Sequence, residues 1–386
     1  MPVKKNKKIT ILFWGPLGKA GKTVVGGGES GNRRTIEMMK DRGMQFIEIQ
    51  KPYPDKQSPF YAIGYAFSLL ISVLKFARFC FLQNTSVHIA HVSGYYNHLL
   101  IFELTMLFAA KLGRIPFVYE IRGGAMLTSY QKRTFLYRRM FDLLLNHADT
   151  ILIQGMEYAN FVFKKSGRPA VYYPNYIDEK QLPEPADDYR SKQAMVEIIY
   201  FGRIVPDKGI AEIIHIASFL KKENFSFNLS IIGKGDKDYL DLLKTLCKTK
   251  GVSEVVRFSG PQDFNTLKTK IVQSHFFVFP TQNEMEGHSN AMTESMAFGV
   301  VPVCRDHGFN RSVVSDCGAI IPKEAGPEKY AQVIRDIWEN DRWHSLSENC
   351  KRRIQTHFVS GSVIPRMENM YWKLANRTSR HIDMQG

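Results

Sequence analysis

FFVFPTQNEMEGHSNAMTESMAFGVVP, residues 276–302, is the stretch on which the reading of the fold turns. Phe276 to Phe279 is a short apolar run of strand length, a polar turn follows, and a helix is expected from about Ser289 to Ala297. Gly299 stops that helix before a second apolar strand. Parallel α/β folds use this strand, loop and helix N-terminus to hold anions, because the first helical N–H groups lack partners and the helix dipole favours negative charge. Two carboxylates flank the turn. Glu286 sits on the loop and Glu294, eight residues on, lies more than one turn inside the helix. One acid can meet a ligand group at the helix mouth while the other reaches a polar group such as a ribose diol. Alone, such a pair is far more often a solvated loop acid and a surface-helix glutamate.

Upstream, VEIIYFGRIVPDKGIAEIIHIASFL (196–220) again reads strand, turn, helix. Arg203 and Lys208 fall five apart across that turn, at a strand's carboxyl end. Two such cations can neutralise a diphosphate without a metal, the arginine as a fork and the lysine as a point charge. FNLSIIGKGDKDYLDLLKTLCKTKG (227–251) repeats the pattern with a turn at Gly233 and Gly235. Asp236-Lys237-Asp238 could bridge a divalent cation to phosphate oxygens, but short acidic triplets are common and polar residues here suit a helix start.

The resemblance enters with EGHSNAMTESMAFGVVPV (286–303), which resembles the donor-binding segment of the family-four retaining glycosyltransferases, E-G-x-x-N-x-x-x-E followed by small residues and a V-P-V strand. It implies that Glu286 contacts the donor sugar, that Glu294 binds the ribose, and that Gly287, His288, Ser289 and Asn290 meet sugar and phosphates mainly through backbone. Gly202, Arg203 and Lys208 match the family's G-R-x-x-x-x-K-G pattern and are implied to grip the diphosphate, with Gly233 on the neighbouring turn. Thr293 and Ser295 stand where apolar and alanine residues are more usual. The implied fold is α/β of the GT-B type, two Rossmann-like domains with parallel sheets facing a central cleft.

In the first half, Lys8 to Trp14 (strand), a glycine-rich loop, NRRTIEMMKDRG (helix) and MQFIEIQ (strand) open a doubly wound sheet. Gly21-Lys22-Thr23 looks like the end of a phosphate-binding P-loop, yet that motif needs glycine at position 16, which is Pro16. Gly26, Gly27 and Gly28, read as a loop before the helix, instead resemble the glycosyltransferase first-domain loop, where close backbone approach lines the cleft. His88, His91, His98, Glu120 and Arg122 lie on strands or near their ends. Arg122, followed by Gly123 and Gly124, resembles a variant found in some polysaccharide-assembling members and is the candidate on the acceptor side.

Length and composition agree with two domains: 386 residues, 44% hydrophobic and 23% charged. The expected division is 1–180, a Pro- and acid-rich linker at 181–195, 196–355, and a last helix, 356–386, returning to the first domain with a frayed tail from Arg377. Five cysteines without metal spacing fit a reduced, cytoplasmic setting, and the basic start reads as a first strand and not a signal peptide. A net charge of +15 asks for an anionic partner. Dispersed cations and the lack of any nucleic-acid motif turn that away from nucleic acid and towards an anionic substrate or the inner face of a membrane. YAIGYAFSLLISVLKFARFCFL (61–82) is too interrupted by Lys75 and Arg78 to span a bilayer. It is either a core helix, which its periodicity favours, or one lying on a bilayer surface.

The reading is therefore a transferase of a sugar from a nucleotide-diphosphate sugar, with retention, to a glycan or lipid-linked acceptor in surface polysaccharide assembly, with no metal or other cofactor. A sugar-nucleotide epimerase of the same plan, a P-loop phosphotransferase requiring Lys22, and a non-enzymatic basic binding protein remain alternatives.

Overall fold

The computed structural model describes residues 8–18, 27–54, 60–82, 87–94, 96, 99–183 and 195–383. It divides into two compact units, one of Met1–Pro174 with Val363–Gly386 and one of Asn175–Ser362. The division falls ahead of the 181–195 stretch, of which 184–194 lie outside the described residues, as do Gly21-Lys22-Thr23, Gly26 and His98.

Unit 1 begins with β1 (Thr10–Gly15), α1 (Gly27–Asp41), β2 (Gln45–Gln50), α2 (Tyr61–Phe81), β3 (Val87–Gly94) and α3 (Leu100–Leu112). It continues with β4 (Phe117–Ile121), α4 (Met126–Lys132), α5 (Phe135–His147), β5 (Thr150–Ile153), α6 (Ala159–Ser166) and β6 (Val171–Tyr172). The strands form one parallel sheet in the order β2-β1-β3-β4-β5-β6. All six β1 residues are buried, as a strand covered on both faces requires; this is why it reads as a continuous apolar run and not an alternating one. Right-handed crossovers place α1, which steps from β1 to β2, on one face of the sheet. The connections running the other way put α2, α3 and α5 on the opposite face.

Unit 2 holds β7 (Val196–Phe201), α7 (Ile210–Lys222), β8 (Phe227–Ile232), α8 (Lys237–Thr249), β9 (Val256–Ser259), α9 (Phe264–Gln273) and β10 (Phe276–Phe279). It ends with α10 (Asn290–Ala297), β11 (Val301–Arg305), α11 (Asn310–Val314), β12 (Ala319–Ile321), α12 (Pro327–Glu339) and α13 (Trp343–His357). Its parallel sheet runs β12-β11-β10-β7-β8-β9. From β7 the chain winds outward through β8 and β9, then returns to the other side of β7 with β10. The β7/β10 boundary is thus a topological switch point, where open sheets leave a crevice at the strands' carboxyl ends.

The last helix, α14 (Ser360–Asp383), belongs mostly to unit 1. Met367, Tyr371 and Leu374 are buried there, and Arg42 at the end of α1 reaches Glu368 at 2.9 Å. Its helical backbone continues to Asp383, into the tail expected to fray from Arg377, whose last residues, 384–386, lie outside the described residues. Two expectations are corrected. Gly27 and Gly28 are the first residues of α1 and not a loop before it. Only the second half of α2 carries a buried face, Leu69, Ser72, Val73, Phe76 and Cys80, while most of its first two turns are exposed.

Candidate functional site

Unit 2 gathers its candidates at the β7/β10 switch point. After β7 the backbone makes a 3₁₀ turn at Pro206–Lys208, closed by Gly209 at φ 75°. A Cβ at Gly209 would stand 2.6 Å from the Pro280 carbonyl oxygen, so glycine is needed for the turn to pass beside the end of β10. The two turns are stitched together: Gln282 N–H donates to the Asp207 carbonyl at 2.8 Å and Asn283 Nδ2 donates to the Asp207 carboxylate at 2.7 Å. This brings Lys208, five residues past Arg203, onto Glu286 from the other strand's loop, where the two form a largely buried ion pair. Thr281 Oγ1 donates to the same carboxylate oxygen at 3.1 Å, and the Lys208 ammonium lies 5.4 Å from the centre of the Phe279 ring. An aromatic floor and a desolvated carboxylate hold the ammonium at the crevice in one place.

The glycines beside it have a common cause. Gly202 (φ 146°) and Gly233 (φ 153°) end β7 and β8, and a Cβ on Gly233 would fall 1.7 Å from the Gly202 carbonyl oxygen. The two strand ends therefore run together without side chains, and Ile204 N–H continues the pairing to the Lys234 carbonyl at 2.9 Å. Arg203 is exposed, and among the described residues no ion pair holds it. Asp236 is the N-cap of α8, accepting from Asp238 N–H at 3.0 Å. That assigns the D-x-D a capping role.

At the helix mouth two side chains turn to the protein itself. Ser289 is the N-cap of α10 and its hydroxyl accepts from Met292 N–H at 3.4 Å. The His288 imidazole points into the interior. Its Nδ1 accepts from Asn175 N–H at 3.2 Å, its Nε2 donates to Thr293 Oγ1 at 2.6 Å, and Asn175 Nδ2 holds the His288 carbonyl at 2.7 Å. Burial, with Arg353 adding repulsion, pushes the imidazole down to about 3, so it stays neutral. The side chain therefore supports the loop, and it is the backbone that this position leaves for a ligand. Gly287 and Asn290 remain partly exposed at the start of α10, and Glu294 is half-buried on its second turn.

The sequence reading missed Thr281, Asn283, Asp207, Asn175 and Gly308. Gly308 has φ 57°, and a Cβ there would meet the Glu286 carbonyl oxygen at 2.5 Å. Thr293 did give a signal, as a polar residue at an apolar position; its hydroxyl is the acceptor for His288.

Gly27, Gly28 and Arg122 belong to unit 1. Gly28 is in the first turn of α1, and a Cβ there would meet nothing within 4 Å. Arg122 Nε donates to the buried Glu120 carboxylate at 2.5 Å and the guanidinium lies 5.3 Å from the centre of the Tyr173 ring. Behind it, His91 Nε2 stands 3.4 Å from the other Glu120 oxygen and His91 Nδ1 2.6 Å from the Tyr371 hydroxyl of α14. Burial pushes the Glu120 carboxyl up, but Arg122 and His91 outweigh it and hold the group below the ordinary range. A charged carboxylate thus fixes Arg122 from beneath.

Two units, each built on a parallel six-stranded sheet, make this an α/β chain of the GT-B fold. Residues 187–357 match the family model for glycosyl transferases group 1. The chain is 27% identical over 184 residues to the capsular polysaccharide biosynthesis glycosyltransferase CapM of Staphylococcus aureus, covering 45% of this chain and 44% of that one. It is 28% identical over 110 residues to the GDP-mannose:cellobiosyl-diphosphopolyprenol alpha-mannosyltransferase of Xanthomonas oryzae pv. oryzae, 28% of each chain. The matched segments span less than half the length of these curated relatives. Among solved structures, sucrose-phosphate synthase from Thermosynechococcus elongatus superposes with a TM-score of 0.71 at 16% identity, covering 95% of this chain and 99% of that one.

Proposed function

We propose that this protein transfers a sugar from a nucleotide-diphosphate sugar to an acceptor hydroxyl with retention of anomeric configuration, without a metal. The observation that carries the reading is the Lys208–Glu286 pair at the β7/β10 switch point, with the exposed Arg203 at the end of β7 beside it. Breaking the sugar–phosphate bond leaves negative charge on the diphosphate. Lys208, Arg203 and the first N–H groups of α10 oppose that charge, and Lys208 and the helix N–H groups cost no reorganisation because the fold already holds them. Glu286 orients the donor sugar through the carboxylate oxygen not taken by Lys208, and Glu294 receives the ribose. As the anomeric C–O bond to phosphate breaks, the acceptor oxygen bonds to the same face and its proton passes to the departing phosphate oxygen. No side chain attacks. In unit 1, Arg122 serves the acceptor, held by Glu120.

The acceptor class is a glycan or lipid-linked saccharide in surface polysaccharide assembly at the cytoplasmic side of a membrane. The names of the two relatives, one a capsular polysaccharide biosynthesis glycosyltransferase and the other a mannosyltransferase acting on a cellobiosyl-diphosphopolyprenol, support this. The test is a panel of nucleotide sugars screened first by thermal shift, since a ligand of the native state raises its stability, then by product analysis with polyprenyl-diphosphate-linked acceptors. A product with inverted configuration, donor isomerisation without acceptor, or activity lost to chelation and restored by manganese would each overturn the corresponding part.

A further inference from the structure

The helical layer on one face of the unit 1 sheet carries an apolar surface that none of the described residues covers. On α2 the exposed side includes Ile63, Phe67 and Leu74, at 71%, 63% and 59% of full exposure. Spaced four and seven residues apart, they form one stripe along the helix. α3 packs beside α2 and adds a second stripe, Ile101, Phe108 and Leu112, at positions i, i+7 and i+11. α5 lies next to α3 and adds Phe135 and Leu136. Monomeric proteins rarely leave contiguous apolar area of this extent bare.

Its charge names the occupant. From Phe60 to His147 the only acids are Glu103, Glu120 and Asp142. Glu103 and Glu120 are fully buried, and Asp142 is held by Tyr130 and Lys165. The exposed ions of the layer are all cations: Lys75 and Arg78 on α2, Arg114 after α3, Arg138 and Arg139 on α5. Apolar stripes bordered by cations, with every acid withdrawn, match the boundary between acyl chains and anionic headgroups. A second copy of the same surface would set cation against cation. α2 is long and apolar enough to cross a membrane by length and composition, but its other side is committed to unit 1, where Trp14 Nε1 of β1 donates to Ser72 Oγ at 3.3 Å. It can lie on a bilayer and not pass through it.

We infer that the α2–α3–α5 face of unit 1 docks on an anionic phospholipid bilayer. The stripes enter the interfacial region, and the cations pair with headgroups. This stands apart from the transferase reading, because it requires no turnover.

The test is co-sedimentation of the full chain with vesicles of equal parts phosphatidylglycerol and phosphatidylcholine, against phosphatidylcholine alone. Binding to the anionic vesicles should be at least tenfold stronger and should weaken in high salt. Ile63→Gln/Phe67→Gln/Leu74→Gln and Arg138→Glu/Arg139→Glu should each reduce it about tenfold, while Leu242→Gln, at an exposed leucine of unit 2, should not. Because a variant can misfold, hydrogen exchange of the unaltered chain provides a second reading: amides of the first turns of α2 should slow on anionic vesicles. Failure to sediment, equal binding by the triple variant, unchanged exchange in α2, or a stable dimer in solution that protects this face would overturn the inference.

Discussion

Lys208 and Glu286 satisfy one another while the crevice is open, so each single substitution strands a mostly buried ion. Lys208→Ala should cost about 1–3 kcal/mol of stability by leaving the Glu286 carboxylate without its cation, besides abolishing transfer. Lys208→Met/Glu286→Gln should recover most of that stability and none of the activity. Urea unfolding and product formation on the two variants separate fold from function; activity in the double variant would remove both residues from the site. His288 supplies a pH test. Its folded pKa, about 3, lies below the ordinary 6.5, so the unfolded chain takes up a proton that the folded one refuses. Its contribution to stability is therefore full above pH 6.5 and falls progressively down to pH 3, by up to roughly 1.4 kcal/mol per unit. Between pH 7.5 and 5 the wild type should lose about 2 kcal/mol more than His288→Gln in denaturant titrations. At this scale the spacing of the charged candidates is legible in the sequence, and the internal role of the His288 side chain is not. A histidine inside a donor-binding pattern looks like a ligand until the Asn175 amide, 113 positions away, is seen to occupy it.

Strands and long helices were legible because burial on both faces makes β1 and β10 nearly continuous apolar runs, and because α7, α12 and α13 carry periodic stripes. α4, α6 and α11 were not read. They are seven, eight and five residues long, too short for a 3.6 period to declare itself. The start of α1 was misjudged since three glycines read as loop, whereas two of them begin the helix. Glycines at the two ends of the molecule's chemistry should behave oppositely. Gly233→Ala forces a methyl into the Gly202 carbonyl at a backbone angle that L-residues rarely adopt, and should destabilise by several kcal/mol or prevent folding. Gly28→Ala has open space and a helical position, so stability should hold or rise by about 0.5–1 kcal/mol. If a ligand's approach is the reason for Gly28, the same variant should lose transfer; thermal unfolding beside activity decides it, and full activity would dismiss Gly28 from the site.

The order of two α/β halves and the return of the last helix follow from the sequence pattern and the family it resembles. Which face of α2 meets solvent does not, because a stripe that packs and a stripe left bare have the same period; only the sheet's handedness and the neighbours of α2 tell them apart. A chain ending at Ser362 should lose the cooperative unfolding of unit 1, because Met367, Tyr371 and Leu374 leave its core and His91 loses the Tyr371 hydroxyl. Residues 175–362 should keep their own transition. Limited proteolysis that left unit 1 intact in the shortened chain would refute this. The same arrangement governs how the molecule is made. The segment Val363–Gly386, which completes the first-synthesised unit, emerges from the ribosome after every residue of the second. The later-born half can finish folding on the nascent chain while the older one waits, its apolar helices bare to chaperones, until translation delivers the final turns.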